Sequence, residues 1–289
     1  MSEIDGITTV AVLGAGTMGH GIAQIAAAAG FTTRLYDVDE PRVGAGLQRI
    51  AANLQIGVDK QKITPDARES TLARLTATTD LRAAAAGADL VIEAVPEQLA
   101  LKHQVLGVAA TVASRHAILA TNTSSLSIAA IAAPLPGPGR VIGAHFFNPV
   151  HLMKLLEIVV ADATDPQVVD RLRQFGARVG KECITIKDSP GFATSRLGLV
   201  IGLEAIRMVE QGVGTPEDID KAMTLGYGFP LGPLRLTDLV GLDVRLAIAE
   251  YLCTALPDGA HFRPPALLRQ LVAEGKLGKK SGEGFYRWP

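Results

Sequence analysis

The chain has 289 residues, a net charge of −1, 48% hydrophobic residues and 20% charged residues, long enough for two domains with substantial cores and too evenly charged for a nucleic-acid-binding stripe. No apolar run is long enough to span a bilayer, and the acidic opening Met1-Ser2-Glu3-Ile4-Asp5 lacks the apolar core of a secretion signal. Cys183 and Cys253 supply no disulfide framework and read as buried free thiols, and none of the six histidines falls in a metal-ligand spacing, so a cytoplasmic protein without a metal is expected.

Thr9 to Leu13 is a short β-branched and apolar run that meets Gly14-Ala15-Gly16-Thr17-Met18-Gly19, and Ile22, Ile25 and Ala26 then take up helical spacing. Strand, glycine turn and helix in that order form the phosphate-binding arrangement of a dinucleotide fold. Gly14 permits the turn, Gly16 leaves the backbone open to a pyrophosphate, and Gly19 lets the helix approach the strand. The next apolar run, Thr32 to Tyr36, ends at Asp37. A carboxylate there binds the ribose hydroxyls of an adenosine and repels a 2′-phosphate, which favours NAD over NADP, although Arg34 and Arg42 are close in sequence.

Helical spacing covers Pro41 to Lys60 and Pro65 to Leu72. Leu75–Thr78, Leu90–Val95, Ala117–Thr121, Arg140–Ala144 and Leu155–Val160 read as strands, with a helix over Leu99–Ala113. Strands alternating with helices predict a parallel, doubly wound α/β sheet whose ligands bind at the carboxyl ends of the strands. Asp188-Ser189-Pro190-Gly191 marks a boundary, dividing the chain into an N-terminal domain over 1–187 and an all-α domain over 188–289. In the second, Leu197, Ile201, Ala205 and Met208 form a stripe, Thr215-Pro216 opens a helix, Leu234–Leu256 is broken at Gly241, and Pro264-Pro265 open another helix. Gly278 to Tyr286 reads as a polar, glycine-rich tail. The apolar content of these helices suggests a homodimer interface using Leu199, Val200, Val240 and Leu242.

At the strand ends, His145 is the candidate acid–base. If the strand carrying Glu157 pairs back on it, the carboxylate fixes the imidazole tautomer and supports the imidazolium. The same two residues would equally serve as a packing histidine and an unrelated strand acid. Ser124 and Ser125 fit a substrate oxygen or, equally, an N-cap cluster for a helix at Ile128. Lys60 and Lys62 fit a phosphate-bearing substrate or a solvated surface.

In sequence order, Gly14–Gly19, Glu93-Ala94-Val95-Pro96-Glu97, Asn122-Thr123-Ser124-Ser125-Leu126, His145-Phe146-Phe147-Asn148-Pro149-Val150, Asp188-Ser189-Pro190-Gly191-Phe192 and Gly278-Lys279-Lys280-Ser281-Gly282-Glu283-Gly284-Phe285-Tyr286 together resemble the L-3-hydroxyacyl-CoA dehydrogenases, including the bacterial 3-hydroxybutyryl-CoA dehydrogenases. The resemblance covers nearly the whole chain. It implies oxidation of (S)-3-hydroxyacyl-CoA by NAD to 3-oxoacyl-CoA, with His145 as general base, Glu157 orienting it, and Ser124 meeting substrate and nicotinamide. It also implies cofactor contacts from Asp37, Glu97, Lys102, Asn148 and Lys280 besides the glycine turn. Lys60 matches a lysine that meets a CoA phosphate, and Asn53 stands where the family has a CoA-contacting serine. One position departs: after Pro-Gly-Phe the family runs to Asn-Arg, whereas this chain has Ser195-Arg196. Ser195 is a shorter donor to substrate oxygens, which leaves the acyl group open. Two other functions use the same scaffold. One is oxidation of a non-CoA hydroxy acid, as in the lambda-crystallin/gulonate dehydrogenase branch, which would not need Lys60. The other is a non-catalytic NAD-binding protein.

Overall fold

The computed structural model describes residues 6–289; the acidic opening, residues 1–5, lies outside them. The chain divides into two compact units, Met1–Asp188 and Ser189–Pro289.

The first unit is built on one eight-stranded sheet of order β3-β2-β1-β4-β5-β6-β7-β8. It begins with β1 (Thr9–Leu13), α1 (Gly19–Ala28) and β2 (Thr32–Tyr36), followed by α2 (Glu40–Asp59), α3 (Pro65–Leu72) and β3 (Leu75–Thr78). The chain then crosses to the other side of β1, through α4 (Leu81–Ala85), to β4 (Leu90–Glu93), α5 (Leu99–Val112), β5 (Ile118–Thr121), α6 (Ile128–Ala132) and β6 (Val141–Phe146). These six strands are parallel. β7 (Leu155–Val160) returns antiparallel to β6, and α7 (Pro166–Arg178) leads to β8 (Glu182–Lys187), parallel to β7. The strand order reverses at β1, with β2 and β3 laid to one side and β4 onward to the other, and this is the topological switch point at which such sheets open a crevice. Val10, Val12, Leu90, Ile92 and Ile118 are fully buried at the centre of the sheet, as expected of strands covered on both faces.

α7 and β8 carry no expectation from the sequence. β8 is an edge strand in which only Cys183 and Ile186 are half-buried, so it lacks the apolar run that reveals a central strand. β4 stops at Glu93, short of Val95. Ser127, rather than the Asn-Thr-Ser-Ser turn, caps α6: its hydroxyl accepts from the amide of Ala130.

The second unit contains α8 (Thr194–Glu210), α9 (Pro216–Gly226), α10 (Pro233–Val240), α11 (Leu242–Ala255) and α12 (Ala266–Ala273), packed around Leu203, Leu234, Leu252, Phe262 and Leu268. Four expectations are corrected. The buried face of α8 is Leu199, Leu203, Ala205 and Ile206, while Leu197 is 61% exposed. Residues 197–203 are apolar or glycine throughout, so helical spacing alone did not choose a face. Leu199 and Leu242 have no exposed surface and belong to this unit's own core, not to an interface. The stretch from Gly278 is not a loose tail, because it folds onto the buried carboxylate of Asp238, which accepts from the amides of Phe285 and Tyr286 and from the Trp288 indole at 2.8–2.9 Å. Both cysteines are half-buried and free, rather than buried. No helix among the described residues is long and apolar enough to cross a membrane.

Candidate active site

The glycine turn is fixed by contacts at both ends. Gly14 has φ +110°, and a Cβ on it would come within 2.6 Å of the Ala94 carbonyl oxygen; a Cβ on Gly19 would lie 1.7 Å from the Gly14 carbonyl oxygen. Only glycine fits either position. Gly16 is exposed, and a Cβ there would meet no atom within 4 Å, so its backbone faces open space. Thr17 is exposed and Met18 half-buried. Met18 is the N-cap of α1 and makes no side-chain cap bond, and the first turn carries no acid. The helix start therefore presents its amides and positive dipole end without an internal anion.

Asp37 closes the turn from the end of β2. Its Oδ2 accepts from the amide of Ala15 at 2.8 Å, and its Oδ1 accepts from its neighbour Val38 at 2.8 Å. Gly14, Gly16, Tyr36, Asp37, Val38, Arg42, Val95 and Pro96 are among the residues lining a cleft of about 370 Å³. An apolar-walled crevice with one carboxylate and a free helix start suits an adenosine and its pyrophosphate. Of the two nearby arginines, Arg34 is turned onto the carbonyls of Ala83, Ala84 and Ala86, while Arg42 lines the cleft and pairs with Asp39.

Beyond β4 and β5, Glu97 gathers the Asn-Thr-Ser-Ser turn. Its Oε1 accepts from the Thr123 hydroxyl at 2.6 Å, the Ser124 amide at 2.9 Å and the Ser125 amide at 3.2 Å, with the Ser124 hydroxyl at 3.4 Å. Its other oxygen pairs with Lys102 at 3.2 Å. Burial works to raise the Glu97 pKa, but the Lys102 charge and these donors outweigh it and hold the carboxyl below its ordinary value. Lys102 itself is 1% exposed, its ammonium bonded to both oxygens of Glu93 at 2.8 and 3.0 Å. It thus stands behind Glu97 rather than on an open cofactor face. Glu93, with no exposed surface, also accepts from the Thr121 hydroxyl at 2.6 Å, and burial raises its pKa despite these partners.

His145 lies on β6 directly opposite Glu157 on β7. The imidazole is 7% exposed, and its Nδ1 is 2.8 Å from Oε2 of the fully buried Glu157. Nδ1 therefore carries the proton toward the carboxylate, and Nε2 is the atom set to accept one. The amide of Phe146 donates to Asn122 Oδ1 at 2.9 Å, tying the end of β6 to the end of β5. Asn148 follows, exposed, before a cis peptide to Pro149.

A second cavity of about 300 Å³ in the same unit is lined by Gln24, Asn53, Lys60, Lys62, His151 and apolar neighbours. Asn53 donates to Gln24 at 3.1 Å, and both lysines are exposed. Burial, and then the charges of His20 and Lys181, lower the pKa of His151. Ser195 and Lys280 belong to the second unit: Ser195 is half-buried in the first turn of α8, and Lys280 donates to Asp243 at 2.6 Å.

The family follows from two matches that together span almost the whole chain. Residues 9–189 match the NAD binding domain of 3-hydroxyacyl-CoA dehydrogenase and residues 191–288 match its C-terminal domain. The chain belongs to the 3-hydroxyacyl-CoA dehydrogenase family. Among curated relatives, a probable 3-hydroxybutyryl-CoA dehydrogenase of Bacillus subtilis is 44% identical over 97% of both chains. A 3-hydroxyadipyl-CoA dehydrogenase of Escherichia coli is also 44% identical over 98% of this chain, which spans only 59% of that relative's length. The crystal structure of an (S)-3-hydroxybutyryl-CoA dehydrogenase from Ralstonia eutropha superposes with a TM-score of 0.95 at 38% identity, covering 98% of this chain and all of that one. This dehydrogenase is thus an NAD-dependent oxidoreductase with a Rossmann-type sheet and a helical C-terminal domain. Two residues around the site carried no assigned role in the sequence. Glu93 and Asn122 stood there only as members of motifs at the ends of strands. Their partners lie 9 and 24 residues away, beyond any local pattern.

Proposed function

We propose that the chain oxidises short-chain (S)-3-hydroxyacyl-CoA, of the 3-hydroxybutyryl-CoA type, to 3-oxoacyl-CoA. The observation that carries this reading is the His145–Glu157 pair at the carboxyl edge of the sheet whose switch point forms the cleft. His145 Nε2 takes the proton of the 3-hydroxyl while Glu157 stabilises the imidazolium. NAD held in the cleft would supply the hydride acceptor for C3. Ser124, presented by Glu97, and Ser195 donate to substrate oxygens. Gly14 to Gly19 cradle the pyrophosphate, and Asp37 holds the ribose. Glu97, Asn148 and Lys280 complete the cofactor contacts, with Lys102 acting through Glu97. Asn53 and Lys60, in their shared cavity, take the CoA nucleotide.

In this reading, residues 1–187 bind NAD and residues 188–289 bind the acyl group and form a homodimer. Leu225, Tyr227 and Val213 support the dimer, being 62–82% exposed on the second unit. The two free thiols fit a reducing, cytoplasmic setting. The test is NADH oxidation with acetoacetyl-CoA beside free acetoacetate. Turnover of the thioester alone is expected; turnover of the free acid alone would overturn the CoA assignment. A monomer by light scattering would remove the dimer.

A further inference from the structure

The turn after Pro149 carries a histidine to which the reading above gives no role. His151 is half-buried on the wall of the cavity that Asn53 and Lys60 share, and among the described residues its imidazole has no hydrogen-bond partner. Three features hold it there. The amides of Leu152 and Met153 donate to the Pro149 carbonyl at 2.9 and 3.0 Å and close the turn. The Lys181 ammonium donates to the carbonyls of Val150 and Met153, which flank His151 and Leu152, at 2.5 Å each. Val150 rests on α1, where a Cβ on Gly21 would come 2.8 Å from the Val150 Cβ. A turn tied on both sides of a residue limits where its side chain can go.

The charges around this imidazole have one sign. Lys60 and Lys62 line the cavity with it, and none of the lining residues is an acid. His20 on α1 and Lys181 ahead of β8 act on it by their charges. Lys181 is 8% exposed, and burial lowers its pKa with no carboxylate to oppose this. Burial, His20 and Lys181 together hold the His151 pKa below its ordinary value, which leaves the imidazole mostly neutral at neutral pH. A basic wall without an acid of its own suits a polyanion. A phosphate set among these groups reverses the balance at His151, because its charge favours the imidazolium, which then donates to it.

We propose that His151 is a third phosphate ligand in this cavity, beside Lys60 and Lys62, and that it takes up a proton as the CoA nucleotide enters. This rests on the assignment of the cavity to that nucleotide. The bound phosphate raises the imidazole's pKa from its lowered free value. The added affinity is therefore complete below the free value and is lost as pH rises through the bound one.

The test is calorimetric titration with CoA, in two buffers of different ionisation enthalpy, of the wild type, His151→Gln and Lys60→Ala between about pH 6 and about pH 8.5. The phosphate monoester of CoA titrates too, with a second pKa of about 6, but it is common to all three proteins, so the difference between wild type and His151→Gln isolates the imidazole. Near neutral pH the wild type is expected to take up roughly half a proton more per CoA than His151→Gln. At the acid end it should bind CoA about tenfold more tightly, and the gap should close towards the alkaline end. Equal proton uptake and equal Kd in wild type and His151→Gln, with CoA weakened in Lys60→Ala, overturn the proposal and leave the cavity to CoA. An unchanged Kd in both variants takes the nucleotide out of the cavity, and the proposal falls with that reading. A gap of constant size across the pH range also overturns it, since the imidazole would then be a neutral contact. Should His151→Gln not fold, His151→Asn is expected to show the same loss of proton uptake, and wild-type uptake there counts against the proposal.

Discussion

The carboxylate of Asp37 accepts the backbone amide of Ala15 at 2.8 Å, so the end of β2 holds the glycine turn after β1 in place. One side chain thereby serves the turn and faces the cleft. Replacing it by alanine removes the acceptor of the Ala15 amide and the charge that would repel a 2′-phosphate. Asp37→Ala is expected to raise KM for NAD by about 10- to 100-fold and to narrow the preference over NADP. Steady-state kinetics with both cofactors measure this. An unchanged NAD/NADP ratio would show that discrimination resides elsewhere, with Arg42 the next residue to examine.

The His145–Glu157 pair separates chemistry from binding. His145→Ala is expected to lower kcat by about 10²–10⁴-fold, while NADH still binds with near wild-type affinity by fluorescence titration. Glu157→Gln keeps the shape but loses the charge that supports the imidazolium, and is expected to lower kcat by at least about tenfold. Wild-type turnover in His145→Ala would remove the imidazole from the mechanism.

Glu97 links the site to pH. Its carboxyl is held below the ordinary value by Lys102 and the Thr123 and Ser124 donors, against the opposing effect of burial. The folded state therefore favours the ionised form. The stabilisation is complete above the unfolded carboxylate pKa of about 4.3 and is lost as pH falls through the lower folded value. Glu97→Gln should reduce the urea midpoint at pH 7, and the gap between variant and wild type should close in acid. A gap that stays constant from neutral to acid pH would mean that the charge of Glu97 contributes nothing. The same variant loosens the Ser124 turn, so its KM for substrate should rise.

What the sequence could and could not reveal divides by distance along the chain. The glycine turn and Asp37 were legible because backbone demands at Gly14 and Gly19 act within one βαβ unit. The meeting of His145 and Glu157 was legible because two adjacent strands joined by a short return have few possible registers. The embrace of residues 123–125 by Glu97 was not legible, since it joins the ends of two different strands. The core face of α8 was hidden because residues 197–203 are apolar or glycine throughout. β8 was hidden by the opposite condition, an edge strand with almost nothing buried.

Asp238 explains why a glycine-rich segment ends the helical unit as ordered structure. Its buried carboxylate receives the Phe285 and Tyr286 amides and the Trp288 indole. A Cβ on Gly278 would come 2.2 Å from the Asp238 carbonyl oxygen, and one on Gly284 would come 2.3 Å from its Oδ1, so the chain can close around the acid only with glycine at both places. Arg235 covers the Tyr286 and Trp288 rings at 5.0 and 4.9 Å, and the Tyr286 hydroxyl donates to Asp220 at 2.8 Å. Burial, followed by this bond and the Asp220 charge, raises the tyrosine's pKa beyond its ordinary value. Asp238→Ala leaves the three donors to the Asp238 carboxylate without an acceptor and is expected to cost about 3 kcal/mol or more of stability. Trp288 is the single tryptophan of the chain, so its emission reports on this segment directly. A red-shifted emission spectrum and a lowered denaturation midpoint are expected in Asp238→Ala. An unshifted spectrum with wild-type stability would show that the segment is held by the arginine and tyrosine contacts instead.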